Sequence, residues 1–240
     1  MSLFRIARRA ALTALVTALV AAPVCAANAP PAPPDGAYAF AVIRAGQKSG
    51  DSTVTVKRIG ASITVHELET FVGVTDTVDE TLEPNDLQPT SYLSSFPLTS
   101  EVGITAHLAF YSGGAKETVD GVSGETDFHL ETGTTRLLVV DGAMMAGFLF
   151  VPAQVKALSL SGFTALSPSR ADTYDCKVDW AAKPTRPDAL PQTDVSMTVN
   201  GSSPAGNVRF IEWYDPQTMI VDEVDVPAEQ VTITRTRGTH

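Results

Sequence analysis

The chain has 240 residues, 44% of them hydrophobic, and it carries 27 acidic against 17 basic side chains, for a net charge of −10. Because a surplus of negative charge repels phosphate groups, we expect no nucleic-acid partner and no affinity for anionic membrane surfaces. The hydrophobic content is ample for a packed core. After the N-terminal region, no apolar stretch of the sequence is long enough to span a bilayer, so we expect no transmembrane segment.

The first 26 residues have the pattern of a secretory signal peptide. Three arginines lie in the first nine residues, an apolar run from Ala10 to Val24 follows, and the small residue Ala26 offers a cleavage site. The run is too short for a membrane anchor. We therefore predict a periplasmic or secreted protein. Cleaved near Ala26, it retains 14 basic and 27 acidic residues and Cys176 as its single cysteine.

The rest of the chain alternates between apolar and polar residues. Beyond a Pro-rich tether at residues 27–35, short runs with a period of two follow one another, as in Tyr38, Phe40 and Val42. Turns rich in Gly, Asn and Pro separate these runs, without regular helices between them. The pattern predicts one β-rich domain at residues 36–237, a single curved antiparallel sheet of about nine to eleven strands forming a half-barrel.

One stretch departs from the alternation. Residues 141–160 are rich in Met and Phe and almost uncharged. Asp141 is placed to cap a helix, and Pro152 suits the first turn of a second helix. We expect one or two short helices here on the concave face of the sheet, which makes the fold mainly β with an α+β character.

The apolar side chains of this stretch are candidates for lining a ligand cavity. Methionine adapts to varied apolar ligands, and a helix laid across a curved sheet tends to leave a pocket. Plain core packing is the alternative. The candidate lining residues are Met144, Met145, Phe148 and Phe150, with Trp180 and Trp213 as further candidates.

Two runs of the chain are strongly acidic. Residues 67–86 hold seven carboxylates and residues 212–229 hold six, and neither run contains Lys or Arg. Calcium needs several oxygen ligands from one compact loop, and the regular Asp-x-Asp-x-Asp-Gly pattern is missing from both runs. We therefore interpret both as solvated acidic loops.

Histidine and cysteine give no sign of catalysis or metal binding. His66, His107 and His129 each lie on the less apolar parity of a strand at long, irregular spacing, so we expect exposed side chains rather than metal ligands. Cys176 lies on an apolar parity, which predicts a buried and unreactive thiol. P-loop, dinucleotide-binding and nucleophile-elbow motifs are missing from the sequence, and we predict no cofactor and no catalytic residue.

The order of the elements is itself informative. An aromatic-rich strand at 36–40 follows the export signal, a long meander with tight turns comes next, an apolar helical insertion occupies 141–158, and a hairpin with a Trp-Tyr-Asp-Pro turn lies at 210–221. In this layout the chain resembles the periplasmic lipoprotein-carrier superfamily, half-barrels of the LolA, LolB and RseB type. It is also similar to uncharacterised secreted bacterial proteins built the same way. The resemblance implies a half-barrel that binds a lipid-like ligand.

From these observations we predict a non-enzymatic binding or carrier protein for an apolar ligand, such as an acyl chain or lipid. Two alternatives stay open. An enzyme built on the same cavity would place carboxylates or His at its mouth. An interaction domain that docks on an envelope protein would have a filled core and an exposed apolar patch.

Overall fold

The computed structural model describes residues 31–97, 103–112, 114–120, 124–129, 136–142 and 144–237. The predicted signal peptide at residues 1–26 lies outside the described residues, and so does the first part of the predicted tether. Among the residues described, the structure contains no helix that is both long and apolar enough to cross a membrane.

The described chain forms fifteen strands and two short α-helices. The first eight strands are β1 (Gly36–Arg44), β2 (Gln47–Ile59), β3 (Ser62–Phe71), β4 (Val74–Leu82), β5 (Pro89–Pro97), β6 (Gly103–Tyr111), β7 (Gly114–Val119) and β8 (Thr126–His129). Strand β9 (Leu137–Val139) and helices α1 (Met145–Leu149) and α2 (Val151–Ala157) follow. The last six strands are β10 (Gly162–Ser167), β11 (Asp172–Asp179), β12 (Val195–Ser203), β13 (Gly206–Tyr214), β14 (Val221–Val226) and β15 (Val231–Arg235).

All fifteen strands belong to one sheet, in the order β8-β7-β6-β5-β4-β3-β2-β1-β15-β14-β13-β12-β11-β10-β9. Strand β1 lies in the middle and is hydrogen-bonded to β2 on one side and to β15 on the other. The chain therefore builds one meander from β1 to the edge at β8. It then crosses to the other edge at β9 and returns by a second meander, so the sheet stays open between β8 and β9.

The prediction of a curved, mainly antiparallel sheet is confirmed, with two differences. Strands β9 and β10 run parallel, and helices α1 and α2 form the crossover that a parallel pair requires. The predicted number of strands is wrong: fifteen are present. Several strands do not show the alternation clearly, because β4 is rich in Thr, Asp and Glu and because β9 has only three residues.

The two helices lie on the concave face, as predicted. All residues from 144 to 155 are buried, and α1 contacts β2, β3 and β14. Pro152 lies in the first turn of α2, where its missing N–H costs no hydrogen bond. The alternation of β1 directs Tyr38, Phe40 and Val42 into the same core.

The described end of the predicted tether is fixed to the sheet. Pro33 is buried, and the Tyr38 hydroxyl donates a hydrogen bond to the carbonyl oxygen of Pro34 at 2.6 Å. The guanidinium of Arg58, near the end of β2, donates to the Asp35 carboxylate at 2.5 Å and to the Pro33 carbonyl at 2.9 Å. These contacts bind residues 33–35 to the first hairpin.

Cys176 is fully buried in β11, which confirms the prediction of a buried thiol. Burial raises the pKa of the Cys176 thiol to about 12, so the reactive thiolate is scarcely populated at neutral pH. Gly201 lies opposite on β12, and a Cβ at that position would be 2.9 Å from the Cys176 sulfur. The glycine therefore leaves the space that the sulfur fills.

Candidate functional site

The four candidate lining residues of the helical stretch lie together in the core. Met144, Met145, Phe148 and Phe150 are all buried, and the ring of Phe148 meets that of Phe210 edge to face with centroids 5.3 Å apart. Among the described cavities, Met144 borders one and Phe148 borders another, whereas Met145 and Phe150 border neither. These side chains mainly fill the concave face.

The two tryptophans lie elsewhere. Trp180 is exposed over 52% of its surface, just after the end of β11. Trp213 is buried with Leu190 and Ile211 in a small cluster separate from the main core. Along β13, Trp213 is three positions from the core residue Phe210. Since successive side chains of a strand point to opposite faces, Trp213 lies on the convex face. The structure therefore does not bring either tryptophan to the helices.

A cavity of about 140 Å³ opens at one end of the sheet, beside the entrance to α1. We call it the mouth pocket. Its charged lining residues are Arg44, Glu69, Asp76 and Asp141, and its apolar ones are Val42, Phe71, Phe96, Met144 and Val231, with Gly142 and Ser169 completing the wall. The pocket thus joins three carboxyl groups and one guanidinium with an apolar surface.

Strand pairing brings two of these carboxyl groups together. Glu69 of β3 and Asp76 of β4 are directly opposite each other, and both follow the parity of Val65 and Val78, which faces the core. Opposite residues on antiparallel strands have Cβ atoms about 5 Å apart. Burial raises the pKa of Glu69 to about 8, with further contributions from the negative charges of Glu67 and Asp76. Burial also raises the pKa of Asp76.

Arg44 is the single base of the mouth pocket lining. Its guanidinium lies over the ring of Phe71, 5.4 Å from the centroid, which is a cation–π arrangement. Phe71 ends β3 and Arg44 ends β1, so both reach the pocket from the rim of the sheet.

Glu67 holds the first turn of α1 against the sheet. Its carboxylate accepts hydrogen bonds from the backbone N–H groups of Met145 (2.9 Å) and Ala146 (2.7 Å) and from the Ser52 hydroxyl (2.6 Å). These are N–H groups that a helix leaves unpaired at its start. Burial raises the pKa of Glu67, and these three donors offset part of the rise.

Asp141 does not cap a helix, so that prediction is wrong. Its buried carboxylate accepts hydrogen bonds from the Ser167 hydroxyl at 2.9 Å and from the hydroxyl and backbone N–H of Ser169 at 2.5 and 3.1 Å. Burial raises its pKa, and the two serines work against that rise. Asp141 thereby ties the segment before α1 to the end of β10 and borders the mouth pocket.

A second set of polar side chains lies deeper on the concave face. We call Glu80, Tyr92, Ser94 and Glu117 the inner cluster; they come from β4, β5 and β7, and all are buried. Burial raises the pKa of Glu80 to about 8 and raises the pKa values of Glu117 and Tyr92. The charge of Asp141 adds to the rise for both Glu117 and Tyr92.

The interpretation of residues 67–86 as a solvated loop is wrong. This run contains the second half of β3 and the whole of β4, and Glu67, Glu69 and Glu80 are buried. The sequence contained the pattern that reveals them, since Glu67 and Glu69 continue the parity of Ile63 and Val65. Along residues 212–229, Glu212 and Asp222 are also buried, and Asp222 binds Arg235 and Arg237 at 3.2 and 2.8 Å.

The three histidines are exposed and do not line the mouth pocket. Each is close to an aspartate: His66 to Asp79 at 2.8 Å, His107 to Asp120 at 3.4 Å and His129 to Asp127 at 3.2 Å. Within the described ranges, no group of three or more His, Cys, Asp or Glu side chains is arranged to hold a metal ion.

Three further cavities lie among the described residues, one of them very small and two of them open grooves. A cavity of about 30 Å³ beside Phe148, Phe210 and Ala165 shares Gly142 with the mouth pocket and has room for about one water molecule. Two open grooves of about 530 and 310 Å³ share Asp175 and Ser202. The smaller one has mainly polar walls, whereas the larger one has similar amounts of polar and apolar surface. Among these cavities, the mouth pocket alone combines buried charge with apolar walls.

No protein-family model, no curated protein and no solved structure matches this chain. The resemblance to the lipoprotein-carrier half-barrels therefore stays a prediction drawn from the order of elements.

Proposed function

We propose that this protein is a non-enzymatic binding or carrier protein for a small organic cation, a ligand with an ammonium group and an aliphatic part, acting in the periplasm or outside the cell. The observation that carries the proposal is the mouth pocket, where Glu69, Asp76 and Asp141 line a cavity whose remaining walls are mostly apolar. The export part of the proposal rests on the arginine-rich, apolar N-terminus.

The charge of the pocket favours a cation. Three carboxyl groups line it against the single guanidinium of Arg44, which already lies over Phe71. A buried carboxylate is stable only when it is paired or hydrogen-bonded, and otherwise keeps its proton. An ammonium ligand supplies three N–H donors and a full positive charge to these groups. The rings of Phe71 and Phe96 add surfaces that attract cations.

The size of the pocket limits the ligand. About 140 Å³ is well below the roughly 300–1,000 Å³ typical of pockets for drug-sized ligands. A long acyl chain, the ligand first predicted from the sequence, would fit only after α1 and α2 moved off the concave face. Because residues 144–155 are buried and Glu67 binds the start of α1, we favour a short aliphatic cation.

Calorimetric titration at pH 7.5 tests the proposal, with n-butylammonium as the probe and n-butanol as its neutral isostere. We expect the wild type to bind butylammonium and not butanol. Asp76→Asn should weaken butylammonium binding at least tenfold, because it removes a carboxylate from the pocket wall. The matched control is Asp79→Asn, on the same strand but exposed beside His66. Equal binding of amine and alcohol, or no binding of either, would overturn the proposal.

An enzyme on the same pocket is the second candidate, and one observation favours it. Glu69, whose pKa is raised to about 8 by burial, lies directly opposite Asp76, whose pKa burial also raises, so two carboxyl groups with perturbed pKa values face each other in the pocket. Such pairs perform general acid–base catalysis. Hydrolysis of chromogenic esters or glycosides by the wild type but not by Glu69→Gln would replace the binding proposal.

A further inference from the structure

The mouth pocket contains one positive group besides its three carboxyl groups, and the two kinds of charge are not paired with each other. The described arginines that pair with a carboxylate are Arg58, Arg136, Arg170, Arg235 and Arg237. Arg44 forms no ion pair within the part of the chain that the structure describes, although it lines the same cavity as Glu69, Asp76 and Asp141. A ligand in this cavity therefore meets both a guanidinium and carboxyl groups.

The three carboxyl groups differ in how many partners the protein itself gives them. Asp141 accepts hydrogen bonds from the Ser167 hydroxyl and from the hydroxyl and backbone N–H of Ser169. Among the described residues, no donor reaches Glu69 or Asp76; burial raises the pKa values of both, and neighbouring negative charges add to the rise for Glu69. An ammonium group therefore finds open acceptors at Glu69 and Asp76.

Arg44 is placed to bind an anionic group at the entrance of the pocket. It ends β1 at an exposed position, and its guanidinium lies over the ring of Phe71 at 5.4 Å from the centroid. A guanidinium that stacks on a ring keeps its N–H groups at the edge of its own plane, in the fork that matches a carboxylate. The contact with Phe71 therefore orients Arg44 without occupying its donors.

The guanidinium and the open acids are separated along the sheet. Phe71, which lies under the guanidinium, follows Glu69 by two residues on the same face of β3, a distance of about 7 Å. The ammonium nitrogen and carboxylate carbon of an α-amino acid are only about 2.5 Å apart, whereas those of extended 4-aminobutanoate are about 5 Å apart. With a hydrogen bond at each end, the longer molecule suits this separation better.

We propose that the ligand is a zwitterion, an aliphatic amino acid whose ammonium and carboxylate groups are several bonds apart. The ammonium group would bind at Glu69 and Asp76, the carboxylate would bind at Arg44, and the methylene chain would lie against the apolar wall at Phe71 and Val42. This inference rests on the proposed function, because it assumes that the mouth pocket binds an ammonium group, and it adds an anionic end to the ligand.

Calorimetric titration of the wild type at pH 7.5 with 4-aminobutanoate, n-butylammonium and 2-aminobutanoate tests the inference. The first two have the same four-carbon chain and differ by one carboxylate, and the third is an isomer with adjacent charges. We expect 4-aminobutanoate to bind at least tenfold more tightly than either, because its carboxylate gains charge-assisted hydrogen bonds to Arg44. Butylammonium binding without a gain for 4-aminobutanoate would overturn this inference and leave the proposed function standing. Equal affinity for the two amino acid isomers would overturn the charge separation, and failure of every amine to bind would overturn both proposals.

Arg44→Gln tests whether the carboxylate binds at Arg44. In this variant the affinity ratio of 4-aminobutanoate to butylammonium should fall to about one, because only the amino acid loses a partner. Lys48→Gln is the matched control for the loss of one positive charge, since Lys48 lies opposite Ile43 at the same end of the sheet but pairs with Asp51 and does not line the pocket. It should keep the wild-type ratio. An unchanged ratio in folded Arg44→Gln protein, or an equal fall in both variants, would contradict the inference.

Discussion

The two halves of the sheet bury different kinds of side chain on the same concave face. In the half from β2 to β8, Glu67, Glu69, Glu80 and Glu117 point inward among the apolar residues. In the half from β10 to β14, the inward positions are mostly apolar, as in Cys176, Met197, Val199 and Phe210. Glu212 is an exception to this pattern in the second half.

The apolar and the acidic side chains on the concave face affect the stability of the fold in opposite ways. Apolar burial stabilises the fold by roughly 25 cal/mol for each Å² removed from water, whereas buried carboxyl groups lower stability unless they are paired. Proteins tolerate such departures from good packing mainly at functional sites. Under the proposed function, the apolar half supports the fold and the acidic half provides the binding surface.

The largest effect should come from Phe148, which joins α1 to the apolar half through Phe210. Because Phe148 is buried in a packed core beside a cavity of only about 30 Å³, Phe148→Ala should lower the free energy of unfolding by about 3–5 kcal/mol. Urea denaturation measures this loss. Trp180→Ala, at an exposed position, serves as the control and should cost no more than about 0.5 kcal/mol. Equal losses in the two variants would mean that the helix is not packed as described.

The same Glu→Gln substitution can be made in each half of the sheet, at Glu67 and at Glu212, and its effects on stability compared. Glu67→Gln places an amide against the N–H groups of Met145 and Ala146 and should cost about 1–3 kcal/mol of unfolding free energy. Glu212→Gln removes a buried acid without partners among the described residues, so it should be neutral or stabilising. Urea denaturation of both variants at pH 7 decides the matter, and a larger loss for Glu212→Gln would reverse the interpretation.

Substitution and chemical labelling of Cys176 test the apolar character of the second half. Cys176→Ser introduces a hydroxyl into a buried apolar site and should cost about 1–3 kcal/mol. The native wild type should react with a thiol reagent far more slowly than the unfolded chain, since burial raises the pKa of the thiol to about 12. Rapid labelling of the folded protein would contradict this burial.

The acidic half should make stability depend on pH. Folding raises the pKa values of Glu69 and Glu80 from 4.5 to about 8, so between these values the folded chain binds more protons than the unfolded chain. Their contribution is therefore fully present below about pH 4.5 and is lost as the pH rises toward 8. The urea midpoint should fall from pH 5 to pH 8, and the double variant Glu69→Gln/Glu80→Gln should flatten this slope. A slope of the same size in the double variant would assign the pH dependence to other groups.

The smallest effects should come from the exposed histidines of the acidic half. His66, His107 and His129 lie on the solvent side beside aspartates, and exposed pairs of this kind contribute little. Each His→Ala variant should change the free energy of unfolding by less than about 0.5 kcal/mol. Stoichiometric zinc in protein purified without added metal, lost in any of these variants, would show that they bind a metal instead.

The sequence predicts the layout better than the site. Alternation in β1, β3 and β11 was enough to predict a curved sheet with Cys176 inside, and the uncharged residues after Asp141 predicted buried helices. The mouth pocket was not predicted, because Glu69 and Asp76 meet only through the register of β3 and β4. Composition favoured a solvated loop there, and only the parity shared with Ile63 and Val65 argued for burial. The crossing from β8 to β9, which sets the position of Asp141, has no local sequence pattern.

A crystal structure of the protein with n-butylammonium tests the central claim most directly. We expect the ligand nitrogen about 3 Å from carboxylate oxygens of Glu69, Asp76 or Asp141, with the butyl chain against Met144 and Phe96. A nitrogen bound instead in the polar groove around Asp175 and Ser202, or a ligand excluded from the mouth pocket at saturating concentration, would contradict the assignment of this pocket as a cation site.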